Sequence, residues 1–151
     1  MTLIIDSREQ LALEFEKVEG VEIIKDAMPV GDYGALHKDG PDKTVFERKS
    51  ISDLFSSFTH NYDNEKEKIR KAKELGLEYI IAIEATCFEI RKGHSYWKDG
   101  QMVESGKSGI SQVRQMNTIS RKYGVPIWYC PSRKEMAFMI MEYFLAHERI
   151  K

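Results

Sequence analysis

The 151-residue sequence predicts an α/β fold with a mixed central β-sheet and helices on both faces. Three observations carry that expectation. Short apolar runs alternate along the chain with segments of helical period. Two strand-like runs follow one another directly, joined by the turn-forming Asp39-Gly40-Pro41-Asp42, so one antiparallel hairpin interrupts the alternation. No run of about 18 apolar residues is present, so no membrane span or membrane partner is expected. The length suits a single domain over 1–151.

The elements follow in order. Residues 2–6 form a short apolar run and read as a buried strand. Residues 8–18 read as a helix with Leu11, Phe15 and Val18 on one face. A second strand is expected at 21–25, and Pro29-Val30-Gly31-Asp32 reads as a turn or strand entry. Runs 33–38 and 43–49 make the hairpin. With its turn centred near 40–41, Asp32 is expected opposite Lys49, and Glu47 opposite Gly34. Helices are expected at 51–58 and 62–75, the second stopping near Gly76. Residues 78–84 read as another buried strand. Residues 88–107 show no clear period and are expected to be a long loop or hairpin insertion. A helix over 109–123 stops at Gly124, a last strand spans 126–130, and an amphipathic helix covers 133–147. There is no internal repeat, low-complexity segment or linker.

Charge and cysteine usage narrow the function classes. The formal net charge is −1, with 23 basic and 24 acidic residues, which excludes a binder that holds nucleic acid by bulk charge alone. The charge is uneven. Residues 65–74 carry Lys66, Lys68, Arg70, Lys71 and Lys73, a solvated helix face or a DNA backbone contact. Cys87 and Cys130 form no C-x-x-C pair and are expected as reduced thiols in or near the core. Nothing near the N-terminus reads as a signal peptide, so a cytoplasmic location is expected (nuclear in a cell with a nucleus), not a secreted one. His60 and His94 are not expected to bind metal. Tyr96 and Trp97, flanked by Lys92 and Lys98, read either as a stacking platform for an unpaired base or as a packed anchor.

The chemistry gathers on the hairpin. Glu47 and Lys49 lie two apart on one strand and project from the same face, while Arg48 points to the other. The hairpin brings Asp32 to them. Two carboxylates and a lysine at one spot suit phosphodiester hydrolysis. Mg²⁺ is held by one or two carboxylates plus phosphate oxygens and water, it acidifies a water, and a lysine holds that water or stabilises phosphate charge. Each residue also has a bland reading. Ser50 and Asp53 form a helix cap, Asp32 is a turn residue, and the Glu-Arg-Lys run is a solvated strand end.

Asp32 followed by Glu47-Arg48-Lys49 matches the P-D…(D/E)-x-K pattern of restriction-endonuclease-like nucleases. The longer string Gly31-Asp32, fourteen residues, then Glu47-Arg48-Lys49-Ser50-Ile51-Ser52-Asp53 resembles the signature of the XPF-type nuclease domain, the family of xeroderma pigmentosum group F, Hef and the Mus-type junction nucleases. Ile4-Ile5-Asp6-Ser7-Arg8-Glu9, the strand ending at Glu84, and Tyr123-Gly124-Val125-Pro126-Ile127 resemble further family segments. The resemblance implies a Mg²⁺- or Mn²⁺-dependent structure-specific endonuclease acting on branched or duplex DNA (flap, fork or junction) in repair, recombination or replication. It implies Asp32, Glu47 and Asp6 as metal ligands and Lys49 as the catalytic lysine. Asp53 would complete the acidic cluster. Arg8 and Arg48 would contact phosphate or fix acidic groups, and Glu9 and Glu84 would support them. It also implies a homodimer through the C-terminal helices, where Phe138, Met141, Phe144 and Leu145 form a stripe. The family's Gly-Arg and Gln after the Asp53 helix are absent, and Lys66, Lys68 or Arg70 would substitute. No glycine-marked helix-hairpin-helix pair is seen, so an accessory DNA-binding protein is expected as a partner. Two alternatives stay open: a non-catalytic DNA-binding or scaffold subunit with the same fold, and an RNase or nickase using the same site.

Overall fold

The computed structural model describes residues 1–58, 61–104 and 107–150, and of Tyr96 only the backbone. His60 and the Tyr96 side chain, both weighed from the sequence, lie outside that set. The chain runs β1 (Thr2–Asp6), β2 (Glu22–Asp26), β3 (Tyr33–His37), β4 (Gly40–Pro41), β5 (Thr44–Lys49), α1 (Ile51–Ser57), α2 (Tyr62–Glu74), β6 (Glu78–Ile83), α3 (Cys87–Arg91), β7 (Ser95–Lys98), β8 (Gln101–Glu104), α4 (Gly109–Tyr123), β9 (Ile127–Tyr129) and α5 (Arg133–Leu145). A 3₁₀ turn, Ala146–Arg149, follows. No helix among the described residues is long and apolar enough to cross a membrane.

The main sheet has the order β2-β1-β3-β5-β6-β9, with β4 against β3. Pairs β1–β2, β5–β6 and β6–β9 are parallel, and β3 runs antiparallel to both β1 and β5. The sheet is therefore mixed, as expected. The two-residue period of a strand sends alternate side chains to opposite faces, and two cores result. Val45, Tyr79, Ile81 and Ile83 pack with Leu54 of α1, Ile69 of α2 and Met116 of α4. Phe46, Ile80 and Ala82 pack with Met136, Ile140 and Phe144 of α5. By the same period, Glu47 and Lys49 emerge under α1 and α2, and Arg48 emerges on the α5 side. Of the stripe expected to be shared with a dimer, Met141 and Phe144 are buried and Phe138 is exposed.

Three expectations are corrected. Residues 8–18 are not helical. Leu13 is buried and Phe15 stacks edge-on against Tyr33, with Ala12 and Val18 packed on the same core, whereas Leu11 is exposed, so the inward residues follow no helical face. Its backbone groups are satisfied from elsewhere in the chain: the Leu13 N–H donates to the Tyr33 hydroxyl at 2.8 Å, and Arg133 donates to the Leu11 and Ala12 carbonyls at 2.7 and 3.1 Å. Those partners remove the need for helical hydrogen bonds.

The hairpin register is the second correction. Tyr33 lies opposite Phe46, not Arg48. The tight turn sits at Lys38-Asp39, between His37 and its partner Gly40. Asp42 still donates its N–H to the Ala35 carbonyl at 2.9 Å, and the ladder then shifts by two residues before Tyr33 meets Phe46, a bulge. A two-residue slip keeps every side chain on its expected face, so Asp32 ends beside Glu47 instead of Lys49.

The 88–107 insertion takes one of its two expected forms, a hairpin. It carries the end of the short helix α3 and the hairpin β7–β8. Thr86 and Glu89 form a capping box that starts α3. Cys130 is buried, as expected, but Cys87 is exposed, the third correction.

Candidate active site

Asp32 enters β3 through Gly31, whose φ is +83° and whose added Cβ would lie 3.0 Å from the Val45 Cβ. Both the positive φ and the close approach demand glycine. Gly31→Ala is expected to lower stability by about 1–3 kcal/mol, read as a shift in the urea midpoint. A change below a few tenths would mean that the turn is not constrained as drawn.

The Asp32 N–H donates to the Phe46 carbonyl at 2.7 Å, and its carboxylate accepts the Arg48 N–H at 2.8 Å. Burial, followed by the neighbouring Glu47 charge, pushes the Asp32 carboxyl up to about 7, although the Arg48 N–H opposes the shift. Glu47 is 4% exposed. Two close, partly desolvated carboxylates repel each other and call for a cation.

Ammonium groups meet them there. The Lys68 Nζ donates to Glu47 Oε1 at 2.7 Å and lies 3.5 Å from Glu65 Oε1. Burial works against its charge, but Glu47 and Glu65 outweigh that effect and raise its pKa. Lys49 is buried, with its Nζ 2.5 Å from Glu65, 3.0 Å from the Ser57 hydroxyl and 3.6 Å from Glu47. Beneath them the Tyr79 phenol is buried, and burial followed by the Glu47 and Glu65 charges raises its pKa. The cleft over this cluster, about 360 Å³, is lined by Arg8, Gly31, Glu47, Lys68 and Lys71.

The other expected residues divide. Asp6 is buried on the strand beside Asp32, but its oxygens accept from Arg8 and from the Met28 N–H at 2.9 Å. Burial disfavours its charge, yet those donors prevail and its pKa is lowered. Asp6, Asp32 and Glu47 do not bring three carboxylate oxygens within 4.8 Å of one another. Arg8 is largely exposed at the cleft mouth.

Arg48 is enclosed on the opposite face by Glu9 at 2.9 Å and Glu84 at 2.6 Å. This enclosure matches the expected role of fixing acidic groups. Asp53 is exposed and its side chain has no hydrogen bond or ion pair among the described residues. Its N–H is capped by Ser50 at 3.1 Å, the bland reading. On α2, Lys68 and Lys71 line the cleft. Lys66 pairs with Asp63, Arg70 pairs with Glu67 and Glu74, and Lys73 is exposed.

Sequence reasoning missed Glu65 and Ser57. Their signal was faint: each sits on a helix where an acid or a serine is ordinary, and only the packing of α1 and α2 on β5 turns them toward Lys49.

Divalent-metal chemistry fits this donor set. Hard carboxylate oxygens converge, and a lysine ammonium already stands at Glu47 as a substitute cation.

The comparisons with known proteins agree. No match was found among curated proteins. The chain is similar to XPF from Aeropyrum pernix (19% identity, TM-score 0.62), with 93% of this chain and 61% of that one covered. A structure of XPF from the same organism in complex with DNA matches over 99% of this chain and 66% of that one (19% identity, TM-score 0.65). The chain thus spans about two thirds or less of the length of those proteins, and at this identity the likeness establishes the fold. The family model described as the ERCC4 domain matches residues 5–143. With a site of this composition and a family match over nearly its whole length, the chain belongs to the ERCC4 domain family, a family of nucleases.

Proposed function

We propose that this chain is a Mg²⁺- or Mn²⁺-dependent endonuclease that hydrolyses one phosphodiester strand of branched or duplex DNA, at a flap, fork or junction, in repair, recombination or replication. The observation that carries the reading is the adjacency of buried Asp32 to Glu47, which lines a cleft whose other charged walls are Arg8, Glu67, Lys68 and Lys71.

Asp32 and Glu47 would hold the divalent ion. When bound, that ion supplies charge neutralisation at the phosphoryl oxygens and acidifies the attacking water. Lys49, fixed by Glu65 and Ser57, keeps its ammonium at the carboxylates, where it orients that water or meets developing negative charge. Lys68, whose side chain is 42% exposed, has the freedom to exchange Glu47 for a DNA phosphate. Arg8 and Lys71 would contact the backbone, giving affinity without base choice. Asp6 serves by holding Arg8 and the 28-turn in place. Arg48 serves by presenting its N–H to Asp32. A second copy packed through the C-terminal helices, and an accessory DNA-binding protein, would complete recognition of a branched substrate.

The test is cleavage of labelled fork, flap and linear duplexes with and without Mg²⁺. Asp32→Ala and Lys49→Ala are expected to lose on the order of 10²–10³ in rate or more, with Mg²⁺ required. Parent-like cutting by both variants sinks the assignment. A chain that binds forks but never cuts them is a scaffold subunit. Matched RNA duplexes in the same assay separate a DNase from an RNase.

A further inference from the structure

At the other end of β3, five residues and about 16 Å of strand away from Asp32, a second polar cluster is built. It does not depend on the nuclease reading. His37 ends β3, Asp42 lies just before β5, and His147 lies in the 3₁₀ turn after α5. One ligand atom from each lies within 4.8 Å of the others, the group of three that meets this distance among the described residues. His37 Nε2 is 2.9 Å from Asp42 Oδ2, and His147 Nδ1 is 3.9 Å from the same oxygen. The imidazoles stack with centroids 3.9 Å apart and planes 13° from parallel. The His37 side chain is fully buried, and its Nδ1 has no hydrogen-bond partner among the described residues.

Each ring also turns its remaining nitrogen to a carboxylate. His37 Nδ1 is 3.7 Å from Glu148 Oε1, and His147 Nε2 is 3.3 Å from Asp39. The Asp39 carboxylate behind His147 orients that ring, the arrangement found around metal-bound histidines, whereas Glu148 stands beyond hydrogen-bond distance of His37. Three carboxylates around two imidazoles leave the cluster short of positive charge. The donor spacings of 2.9 and 3.9 Å bracket the roughly 3.3 Å edge of a tetrahedron with metal–ligand bonds of about 2.0–2.2 Å, but the rings are stacked nearly parallel, so half-buried His147 must turn about its side-chain torsions to bring its in-plane lone pair onto the ion. Two imidazole nitrogens and one carboxylate oxygen select a borderline transition metal over Mg²⁺, which prefers oxygen alone.

We propose that His37 Nε2, His147 Nδ1 and Asp42 Oδ2 form a second metal site, of the Zn²⁺ class, separate from the carboxylate pair. Asp39 supports His147. The bound ion ties the C-terminal turn to the β3–β4 hairpin.

The test uses the full chain carrying Asp32→Asn and Glu47→Gln, which removes the candidate Mg²⁺ ligands. After treatment with chelator, it is titrated with Zn²⁺ by calorimetry and with Co²⁺ by visible absorption. One equivalent is expected, with a Co²⁺ ligand-field band and a raised thermal midpoint. His147→Ala, at a half-buried position outside both cores, should weaken binding at least 100-fold and abolish the midpoint shift. Asp39→Asn should weaken it about 10-fold. Buried His37 is left unchanged so that folding does not confound the result. Absence of binding in the parent, or binding that His147→Ala leaves untouched, overturns the site. Neither result bears on cleavage at Asp32.

Discussion

Replacing Arg48 with methionine is expected to cost about 3–5 kcal/mol of folding stability, the range for breaking a buried ion pair by removing one partner. The guanidinium is 9% exposed, and it meets Glu9 (7% exposed) through Nε and Nη2 and Glu84 (15% exposed) through Nη1. Burial alone would lower the Arg48 pKa, but Glu9 and Glu84 together raise it. Methionine fills similar space and leaves Glu9 charged and enclosed. Glu84 keeps Arg133 at 2.6 Å, which places the loss toward the lower end of the range. Urea denaturation at neutral pH measures it. Adding Glu9→Gln to Arg48→Met should recover part of the loss, because the stranded charge is then gone. A single-variant cost below about 1 kcal/mol, the value of an exposed pair, would show that the triad is solvated.

Asp32→Asn is expected to act in opposite directions on stability and on chemistry. Without divalent ions, the parent should lose stability as pH rises. The Asp32 carboxyl titrates near 3.8 when unperturbed and is pushed up to about 7 by burial and by Glu47. Its contribution is therefore fully present below about pH 4 and is lost as pH climbs through about 7. Asparagine keeps the neutral shape at every pH. At pH 8 in chelator the variant should exceed the parent by on the order of 2 kcal/mol, and near pH 4 the two should converge. The same variant should lose cleavage, and Mn²⁺ should stabilise the parent but not the variant. A parent whose stability is flat between pH 4 and 8 would mean that Asp32 and Glu47 do not share one desolvated site. A destabilising carboxylate pair is the expected signature of a site shaped for a cation and not for the fold.

What the sequence determined on its own is what local period and residue chemistry encode. The alternation of apolar runs and helical segments predicted the mixed α/β sheet. Strand period alone separated Glu47 and Lys49 from Arg48, because alternate side chains must leave a strand on opposite faces. The motif around Gly31-Asp32 and Glu47-Arg48-Lys49 pointed to the family before any coordinates.

Tertiary structure decided everything that depends on partners distant in the chain. Residues 8–18 carry a helical spacing yet lie non-helical, since Tyr33 and Arg133 satisfy their backbone groups. The hairpin register hung on the position of the Lys38-Asp39 turn and on a two-residue bulge after Asp42, neither of which turn composition reveals. Lys49 looked like a free catalytic ammonium, and the approach of α2 set Glu65 against it. His37 and His147, 110 residues apart, stack only because α5 returns its end to the β3–β4 turn. In each case the deciding energy is the burial or pairing of a polar group by an element far away in sequence. No local pattern records that term, so these features could be read only from the folded chain.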